Sequence, residues 1–263
     1  MKLPVLTIAG SDPSGGAGIQ ADLKALSANG VFGMSVLTSI TAQNTCDVSS
    51  VFHLPPEVIK AQLDAIFSDI PVKNIKTGML ATPDIITTVS NNLAAQTIEH
   101  LVVDPVMVAK GGHVLLEKEG IATIKTQLCP QAFLITPNIH EAETLSGMTI
   151  NSIADARTAA KIIHQLGCQY VLITGGHLKE QPGTDLLYDG RFFRMYTGEY
   201  IQTQNTHGTG CTLASAITAN LAKGKPIADA IEAAKTYTTK AIRHSFTLGK
   251  GHGPTDHFYF LQA

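Results

Sequence analysis

The feature that most constrains the fold is the alternation of short apolar runs with helical patterns along most of the 263 residues. Residues 3–10 (LPVLTIAG) and 32–43 (FGMSVLTSITAQ) are apolar and β-branched, as buried strands are. Between them, Ile19, Leu23 and Leu26 recur at helical spacing. Because the same alternation continues along the chain, the sequence predicts a mostly parallel sheet covered by helices on both faces, a three-layer α/β/α architecture.

The alternation breaks at residues 185–196, where Asp189 and Gly190 stand between two short strand patterns and predict a β-hairpin. Helical patterns at 209–223 and about 226–244 follow. No linker, internal repeat or low-complexity segment interrupts the chain. We therefore expect residues 1–263 to form a single domain.

Composition excludes several classes of protein. Charged residues make up 15% of the chain and the net charge is −2, so no basic stripe points to nucleic acid. No apolar stretch reaches the ~20 residues that a membrane helix needs, and the N-terminus lacks the pattern of a signal peptide. The four cysteines are scattered, as reduced thiols are, so we expect a cytoplasmic protein without nucleic-acid or membrane partners.

Polar residues and glycines cluster where the predicted strands end. In open α/β sheets, ligands bind outside the carboxyl ends of the strands, so these residues should meet at one edge. They are Gly10-Ser11-Asp12, Gln43-Asn44, Met79, Asp104-Pro105, Pro137-Asn138 and Thr174-Gly175-Gly176.

The segment GSDPSGGAG (10–18) joins the first strand to the first helix. It lacks the Gly-Lys-Ser/Thr ending of a P-loop, and GAGIQA (16–21) matches only the glycine part of a dinucleotide fingerprint. The second strand ends in Gln43 and Asn44 rather than an acidic residue, which argues against NAD. Two interpretations stay open: a helix-capping turn, or a backbone surface that a small substrate approaches near Asp22.

The segment HGTGC (207–211) carries the sharpest signal. Gly208 and Gly210 allow backbone N–H groups to turn inward at a helix start, which makes an anion site. The same helix terminus is expected to lower the pKa of Cys211 and give a reactive thiol. The alternatives are an inert cysteine, or a Cys–His hydrolase that uses His207, for which no orienting partner is visible in the sequence.

Two carboxylates suggest a cation site. Asp104 ends a buried strand, where an unpaired charge is costly. Asn138 and Glu141 have the spacing of a helix capping box, which is the structural alternative. The functional alternative is that Asp104 and Glu141 hold a hydrated divalent cation near a phosphate. No metal-ligand spacing of histidines favours zinc.

Seven motifs, taken together, resemble the hydroxymethylpyrimidine/phosphomethylpyrimidine kinases, the thiamin-pathway members of the ribokinase superfamily. The resemblance is co-linear and covers essentially the whole chain. The motifs are TIAGSDPSGGAGIQADLKA, TAQNT, IKTGML, VVDPVM, TPNIHEAE, ITGGH and THGTGCTLASAI.

This resemblance implies a ribokinase-like fold and a two-step reaction. ATP phosphorylates 4-amino-5-hydroxymethyl-2-methylpyrimidine (HMP), and a second ATP converts HMP phosphate to the diphosphate. It also implies Mg²⁺ as a cofactor and a homodimeric assembly.

Site residues are implied by the same resemblance. Gln43 would bind the ring edge, Met79 and Val106 would line the ring pocket, and Gly10 and Asp22 would lie close to the substrate. Asp104, Asn138 and Glu141 would belong to the magnesium–phosphate network, and Thr174 and Gly176 would border the nucleotide. Gly208, Thr209 and Gly210 would form the anion hole, and Cys211 would accept the proton of the attacking hydroxyl.

Two other functions remain open at this point. Pyridoxal kinases of the same superfamily share much of this pattern, although Gln43 matches the adjacent donor and acceptor of an aminopyrimidine. A nucleotide sensor without enzymatic activity would keep the glycine loops but lose Asp104, Glu141 or Cys211, and all three are present.

Overall fold

The computed structural model describes residues 2–175 and 181–261. Within them, nine strands form one sheet. The strands are β1 (Pro4–Ser11), β2 (Phe32–Gln43), β3 (Val48–His53), β4 (Asn74–Thr77), β5 (His100–Val103), β6 (Leu134–Ile135), β7 (Tyr170–Ile173), β8 (Thr184–Tyr188) and β9 (Phe193–Thr197). The α-helices are α1 (Gly18–Ala28), α2 (Pro56–Phe67), α3 (Pro83–Ala94), α4 (Lys118–Thr123), α5 (Ile139–Ser146), α6 (Ile153–His164), α7 (Thr209–Ala222) and α8 (Ile227–Arg243).

The sheet is parallel in its centre and antiparallel at its edges. Its order is β3-β2-β1-β4-β5-β6-β7-β8-β9, and the strands from β2 to β7 in that order pair in parallel. β3 pairs antiparallel with β2 at one edge, and the β8–β9 hairpin adds to β7 at the other. The predicted parallel sheet and the hairpin near 185–196 are both confirmed.

Neighbouring strand residues point into different cores. Val103 belongs to a cluster packed beneath α2 to α6, whereas Val102 belongs to a cluster packed beneath α7 and α8. Ile135 and Leu134 divide between the two clusters in the same way. Because successive side chains of a strand point to opposite faces, both faces of the sheet are covered, as the three-layer prediction requires. Within the described residues, no helix has both the length and the apolar character needed to cross a bilayer.

Two elements are not predicted by the sequence pattern. β3 (VSSVFH) has mostly exposed or half-exposed residues, so it lacks the apolar run of the central strands. α4 has only six residues and buries a single one of them, Gly120. Both are stabilised by their neighbours rather than by a strong local pattern.

The strand order reverses between β1 and β4. From β1 the chain proceeds to β2 on one side, while the later parallel strands are added on the other side, beginning with β4. A crevice opens at such a reversal, outside the carboxyl ends of the strands. This is where the glycine loop after β1 and the residues after β4 and β5 converge.

Candidate active site

A cavity of about 740 Å³ runs along the carboxyl edge of the sheet. Its walls come from the loops that follow the parallel strands and from the start of α7. Most residues singled out from the sequence line it: Gly10, Gln43, Met79, Asp104, Val106, Asn138, Glu141, Thr174, Gly208, Thr209, Gly210 and Cys211. Of the remaining two, Gly176 lies outside the described residues and Asp22 lies behind the wall.

Gly208 allows α7 to begin at the cavity. It caps the helix with φ 76° and ψ 12°, a left-handed conformation that favours glycine. A Cβ atom at this position would lie 1.8 Å from the carbonyl oxygen of Gly16, so the Gly16 loop can approach the start of α7 only because Gly208 has no side chain. Gly210 and Cys211 lie in the first turn, whose N–H groups lack partners within the helix. The arrangement is a helix N-terminus open to an anion.

The Cys211 thiol is half-buried at the floor of the cavity. Desolvation raises its pKa to about 12; the Lys76 charge opposes this rise, while Asp104 and Asp22 add to it. The lowered pKa expected from the helix terminus is therefore wrong. Cys211 is a neutral thiol here because burial and two carboxylates outweigh the helix dipole and Lys76.

Beneath Cys211 lies a buried ion pair that the sequence analysis misses. Lys76 Nζ is 3.0 Å from both carboxylate oxygens of Asp22, and neither side chain is exposed. Thr7 and Ser215 also donate hydrogen bonds to Asp22, at 2.6 and 2.8 Å. The expectation that Asp22 contacts the substrate is therefore wrong. Both of its carboxylate oxygens are hydrogen-bonded to buried side chains, and Asp22 does not line the cavity. Burial alone lowers the pKa of Lys76, but Asp22, Cys211 and Asp104 raise it overall, so Lys76 is a cation.

One feature of the sequence indicates that Asp22 needs a buried partner. Asp22 stands three residues after Ile19 and four before Leu26, on the apolar stripe of α1. A charge on the buried face of a helix needs a partner. Lys76, inside the short β4, is the only lysine of that strand and supplies the partner from 54 positions away.

Asp104 and Glu141 form an acidic wall. Asp104 Oδ2 is buried without a hydrogen bond, and its nearest cation, Lys76 Nζ, is 3.7 Å away. Glu141 completes the capping box with Asn138, so the structural alternative is present. Burial and the Asp104 charge raise the pKa of Glu141 to about 8, and burial also raises the pKa of Asp104 despite Lys76. An orphaned oxygen and two carboxylates that disfavour each other's charge fit a hydrated divalent cation.

His207 has an orienting partner that the sequence did not reveal. Its Nε2 lies 2.8 Å from Asp12 Oδ2 and 3.4 Å from Gln43 Nε2. Burial raises the pKa of Asp12, but hydrogen bonds from His207 and Ser14 outweigh it and lower the pKa overall. His207 is therefore engaged with Asp12 and Gln43, which disfavours the Cys–His hydrolase interpretation.

The β8 end of the cavity carries a second ion pair. Asp185 accepts from the Gly175 N–H at 3.0 Å and from Lys235 Nζ at 2.6 Å. Burial raises the pKa of Asp185, although Lys235 and the Gly175 N–H oppose the rise. Both ionic side chains line the cavity, as does Thr174. The sequence missed this pair because Lys235 lies within the helical pattern of α8, fifty positions from its partner.

The family model for phosphomethylpyrimidine kinase matches residues 12–256. The chain belongs to this family. It is 48% identical over 256 residues to the hydroxymethylpyrimidine/phosphomethylpyrimidine kinase of Bacillus subtilis, covering 97% of this chain and 94% of the relative. It is also 50% identical over 253 residues to the thiamine biosynthesis bifunctional protein ThiED of Geobacter sulfurreducens. That match covers 96% of this chain but only 52% of ThiED, so the chain spans about half the length of the bifunctional relative.

A comparison with a solved structure shows which fold this protein has. The ADP complex of Bacillus subtilis pyridoxal kinase superposes with a TM-score of 0.93 at 45% identity, covering all of both chains. The protein thus has the ribokinase-like fold that the motifs imply. The similar structures therefore include a kinase named for a different substrate, pyridoxal.

Proposed function

We propose that this protein is an ATP-dependent kinase that phosphorylates HMP to HMP phosphate and then to HMP diphosphate. One observation carries the proposal. A single cavity brings together an amide suited to a pyrimidine edge, an anion site at a helix start, and two carboxylates suited to a cation. Phosphoryl transfer needs these parts, because catalysis depends on positioned groups and neutralised charge.

The ring end is formed by Gln43, Met79 and Val106. Met79 is 7% exposed and packs against Gly10, where a Cβ atom would meet Met79 Cε at 2.4 Å. Gly10 therefore leaves room for Met79 to lie flat against the ring. Gln43 lines the same cavity and offers an amide with a donor and an acceptor for the aminopyrimidine edge.

The transferred phosphate would lie at the start of α7, against the N–H groups of residues 208–211. Asp104 and Glu141, with Asn138 beside them, would hold Mg²⁺ between them and the phosphates. The cation would neutralise phosphate charge and, by offsetting Asp104, lower the pKa of Cys211. Thr174 and Gly176 would border the nucleotide on the β7 side.

Cys211 is the proposed acceptor of the proton from the attacking hydroxyl. It lies where the anion site and the ring pocket meet, and Lys76 stabilises its thiolate form from below. In a largely dissociative transfer the hydroxyl loses its proton late, so a base that becomes available only in the full complex is sufficient.

Pyridoxal phosphorylation is the second candidate, because the superposed Bacillus subtilis enzyme is a pyridoxal kinase. Gln43 favours the pyrimidine, since a pyridine ring lacks the adjacent amine and ring nitrogen that an amide pairs with. Measuring kcat/KM with HMP, HMP phosphate and pyridoxal, under saturating ATP, decides between them. A higher kcat/KM for pyridoxal than for HMP contradicts the proposal.

The role of Gln43 is tested by Gln43→Met. Losing the amide leaves ring polar atoms unpaired, at about 1–3 kcal/mol for each group, so kcat/KM for HMP should fall at least about tenfold. The KM for ATP should hardly change. Gln96→Met is the matched control, because Gln96 is exposed beyond the end of α3 and does not line the cavity. Unchanged HMP kinetics in Gln43→Met place the ring elsewhere.

Three further properties belong to the same proposal. Residues 1–263 act as one kinase domain, the enzyme assembles as a homodimer, and it works in the cytoplasm. Light scattering of the purified protein gives the assembly, and limited proteolysis that leaves one core fragment supports a single domain.

A further inference from the structure

A buried hydrogen-bonded pair, Asp12 and His207, stands beside the ring pocket. His207 is 6% exposed, and its Nε2 lies 2.8 Å from Asp12 Oδ2. An ionised carboxylate can only accept a hydrogen bond, so His207 Nε2 carries the hydrogen and donates it. The partner thereby determines which ring nitrogen of His207 is protonated.

Asp12 is itself held in place. Its carboxylate accepts from the Ser14 N–H, the Ser14 hydroxyl and the Ala17 N–H, each at 2.9 Å. The His207 ring packs directly on this loop, since a Cβ atom at Gly16 would lie 2.3 Å from His207 Cδ2. The donor atom of His207 therefore has a fixed position and direction.

Gln43 meets this donor on one side and a hydroxyl on the other. Its Nε2 is placed 3.4 Å from His207 Nε2, and its Oε1 is placed 3.2 Å from Thr41 Oγ1. Thr41 gives its only hydroxyl hydrogen to the Ser11 carbonyl, at 2.9 Å. This amide orientation sets two N–H groups against each other and leaves the carbonyl oxygen only a share of the Thr41 hydroxyl hydrogen, at the longer distance.

The opposite orientation of the same amide removes this conflict. The carbonyl oxygen of Gln43 then shares the one His207 Nε2–H, whose main acceptor is Asp12 Oδ2, and the amide nitrogen donates to a lone pair of Thr41. Since oxygen and nitrogen of a side-chain amide are distinguished by their hydrogen bonds, the network selects this orientation.

We infer that the Asp12–His207 pair determines ring specificity by holding the Gln43 carbonyl toward His207 and its amide nitrogen toward Thr41. The inference rests on the proposed function, in which Gln43 reads the ring edge. An amide that could turn over would accept either order of donor and acceptor on the ring. A held amide accepts one order only.

The held orientation also directs the reacting hydroxyl. The exocyclic amine of HMP pairs with the carbonyl on the His207 side, and the adjacent ring nitrogen pairs with the amide on the Thr41 side. The hydroxymethyl group is on the ring carbon next to the amine, so it points toward the 208–211 loop that follows His207. A ring bound the other way would turn its hydroxyl away from the anion site.

The test compares HMP with its 4-oxo analogue, 5-hydroxymethyl-2-methylpyrimidin-4(3H)-one, in which carbonyl and ring N–H reverse the donor–acceptor order. We expect the wild-type protein to prefer HMP by at least about 100-fold in kcat/KM, because the wrong order leaves buried polar groups unpaired. His207→Phe keeps a ring but removes the donor, and should reduce this preference at least about tenfold. His252→Phe, at a histidine outside the cavity lining, should leave it unchanged.

A structural effect of His207 is separated by a double variant. In the Gln43→Met background, adding His207→Phe should not change the preference further, because the amide it acts through is absent. A folded His207→Phe protein with the wild-type preference overturns the inference. If Gln43→Met itself leaves HMP kinetics unchanged, the proposed ring contact fails instead.

A second variant keeps the test decisive if His207→Phe does not fold. Thr41→Val removes the acceptor for the amide nitrogen in a side chain of similar shape, and Thr41 is largely buried on β2. It should also reduce the preference for HMP over the 4-oxo analogue, with the melting temperature measured alongside. An unchanged preference in folded Thr41→Val contradicts the assigned amide orientation.

Discussion

Two lysine–aspartate pairs lie at the same edge of the sheet and differ in what surrounds them. Lys76 on β4 pairs with Asp22, and neither side chain is exposed. Lys235 on α8 pairs with Asp185 on β8, four strands along the sheet from β4, where the side chains are 14% and 7% exposed. The first pair lies below Cys211, and the second lines the β8 end of the cavity.

The difference is one of charge balance. Lys76 serves two carboxylates, Asp22 and Asp104, and its charge also stabilises the Cys211 thiolate. Among residues 2–175 and 181–261, Lys235 forms an ion pair with Asp185 only, and that carboxylate has a second partner in the Gly175 N–H. A change at the first pair therefore reaches the reacting groups, whereas a change at the second should remain local to the nucleotide side.

The largest expected loss of activity follows from changing Cys211. Of the two lysines, Lys76 is the one whose charge stabilises the Cys211 thiolate. Loss of a general base costs about 10²–10⁴-fold in rate, so Cys211→Ser should lose kcat by that factor with the KM for ATP unchanged. Cys211→Asp should recover part of kcat, because a carboxylate is again a base. Steady-state kinetics and melting temperatures of both variants check this.

Cys46→Ser is the matched control, since Cys46 is an exposed free cysteine outside the cavity lining. If Cys211 is only a packed small residue, the order reverses: Ser mimics its size, and Asp brings an unpaired charge. A stable, fully active Cys211→Ser enzyme would falsify the catalytic role and leave the anion site of residues 208–211.

The second effect is at Lys76 itself. Lys76→Met leaves two buried carboxylates without their cation, which should lower the free energy of unfolding by about 3–5 kcal/mol and also reduce kcat. The double variant Lys76→Met/Asp22→Asn should be more stable than Lys76→Met, because one uncompensated charge is removed. Chemical denaturation measures both; a double variant no more stable than the single one argues against charge balance.

Features that depend on local sequence could be predicted, whereas the two long-range ion pairs could not. The parallel strands were predictable because strands buried on both faces read as continuous apolar runs, such as LPVLTIAG. The start of α7 was predictable because a glycine cap and an N-terminal anion site are local. Gly10, Gln43, Asp104 and Glu141 were placed at the cavity because each follows a predicted strand.

Long-range pairing was not predictable in this way. Asp22 and Lys76 are 54 positions apart, and Asp12 and His207 are 195 apart, so no local pattern joins them. The raised pKa of Cys211 is not predictable from the sequence for the same reason. The helix terminus is visible in the sequence, but the burial that raises the pKa to about 12 is a property of the folded chain.

The third effect is at the second pair. Lys235→Met removes one of two partners of Asp185, so the free energy of unfolding should fall by about 1–3 kcal/mol, less than for Lys76→Met. The KM for ATP should rise while the KM for HMP hardly changes, because the pair lines the cavity away from Gln43. Lys240→Met, with Lys240 in the last turn of α8, is the control. Equal losses in Lys235→Met and Lys76→Met contradict the distinction between the pairs.

The smallest effect is acid sensitivity, which should begin at the α7 end. Burial lowers the pKa of His257 from 6.5 to about 4, and its Nε2 lies 3.0 Å from the Thr212 hydroxyl of α7. Between these values the unfolded chain binds more protons at this histidine than the folded one, so stability falls as the pH drops below 6.5. The loss is at most about 1.4 kcal/mol for each pH unit.

Asp185 has the opposite effect on the pH dependence of stability. Because its pKa is raised in the folded protein, the folded protein takes up a proton there more readily than the unfolded chain, and this group favours folding as the pH falls. Hydrogen exchange at pH 7 and pH 5 should therefore show α7 losing protection before the β8–β9 hairpin. His257→Gln should remove the part of the pH dependence of the melting temperature that lies between pH 6.5 and 5. If the hairpin opens first, or if His257→Gln keeps the full pH dependence, His257 is not the group that makes the protein sensitive to acid.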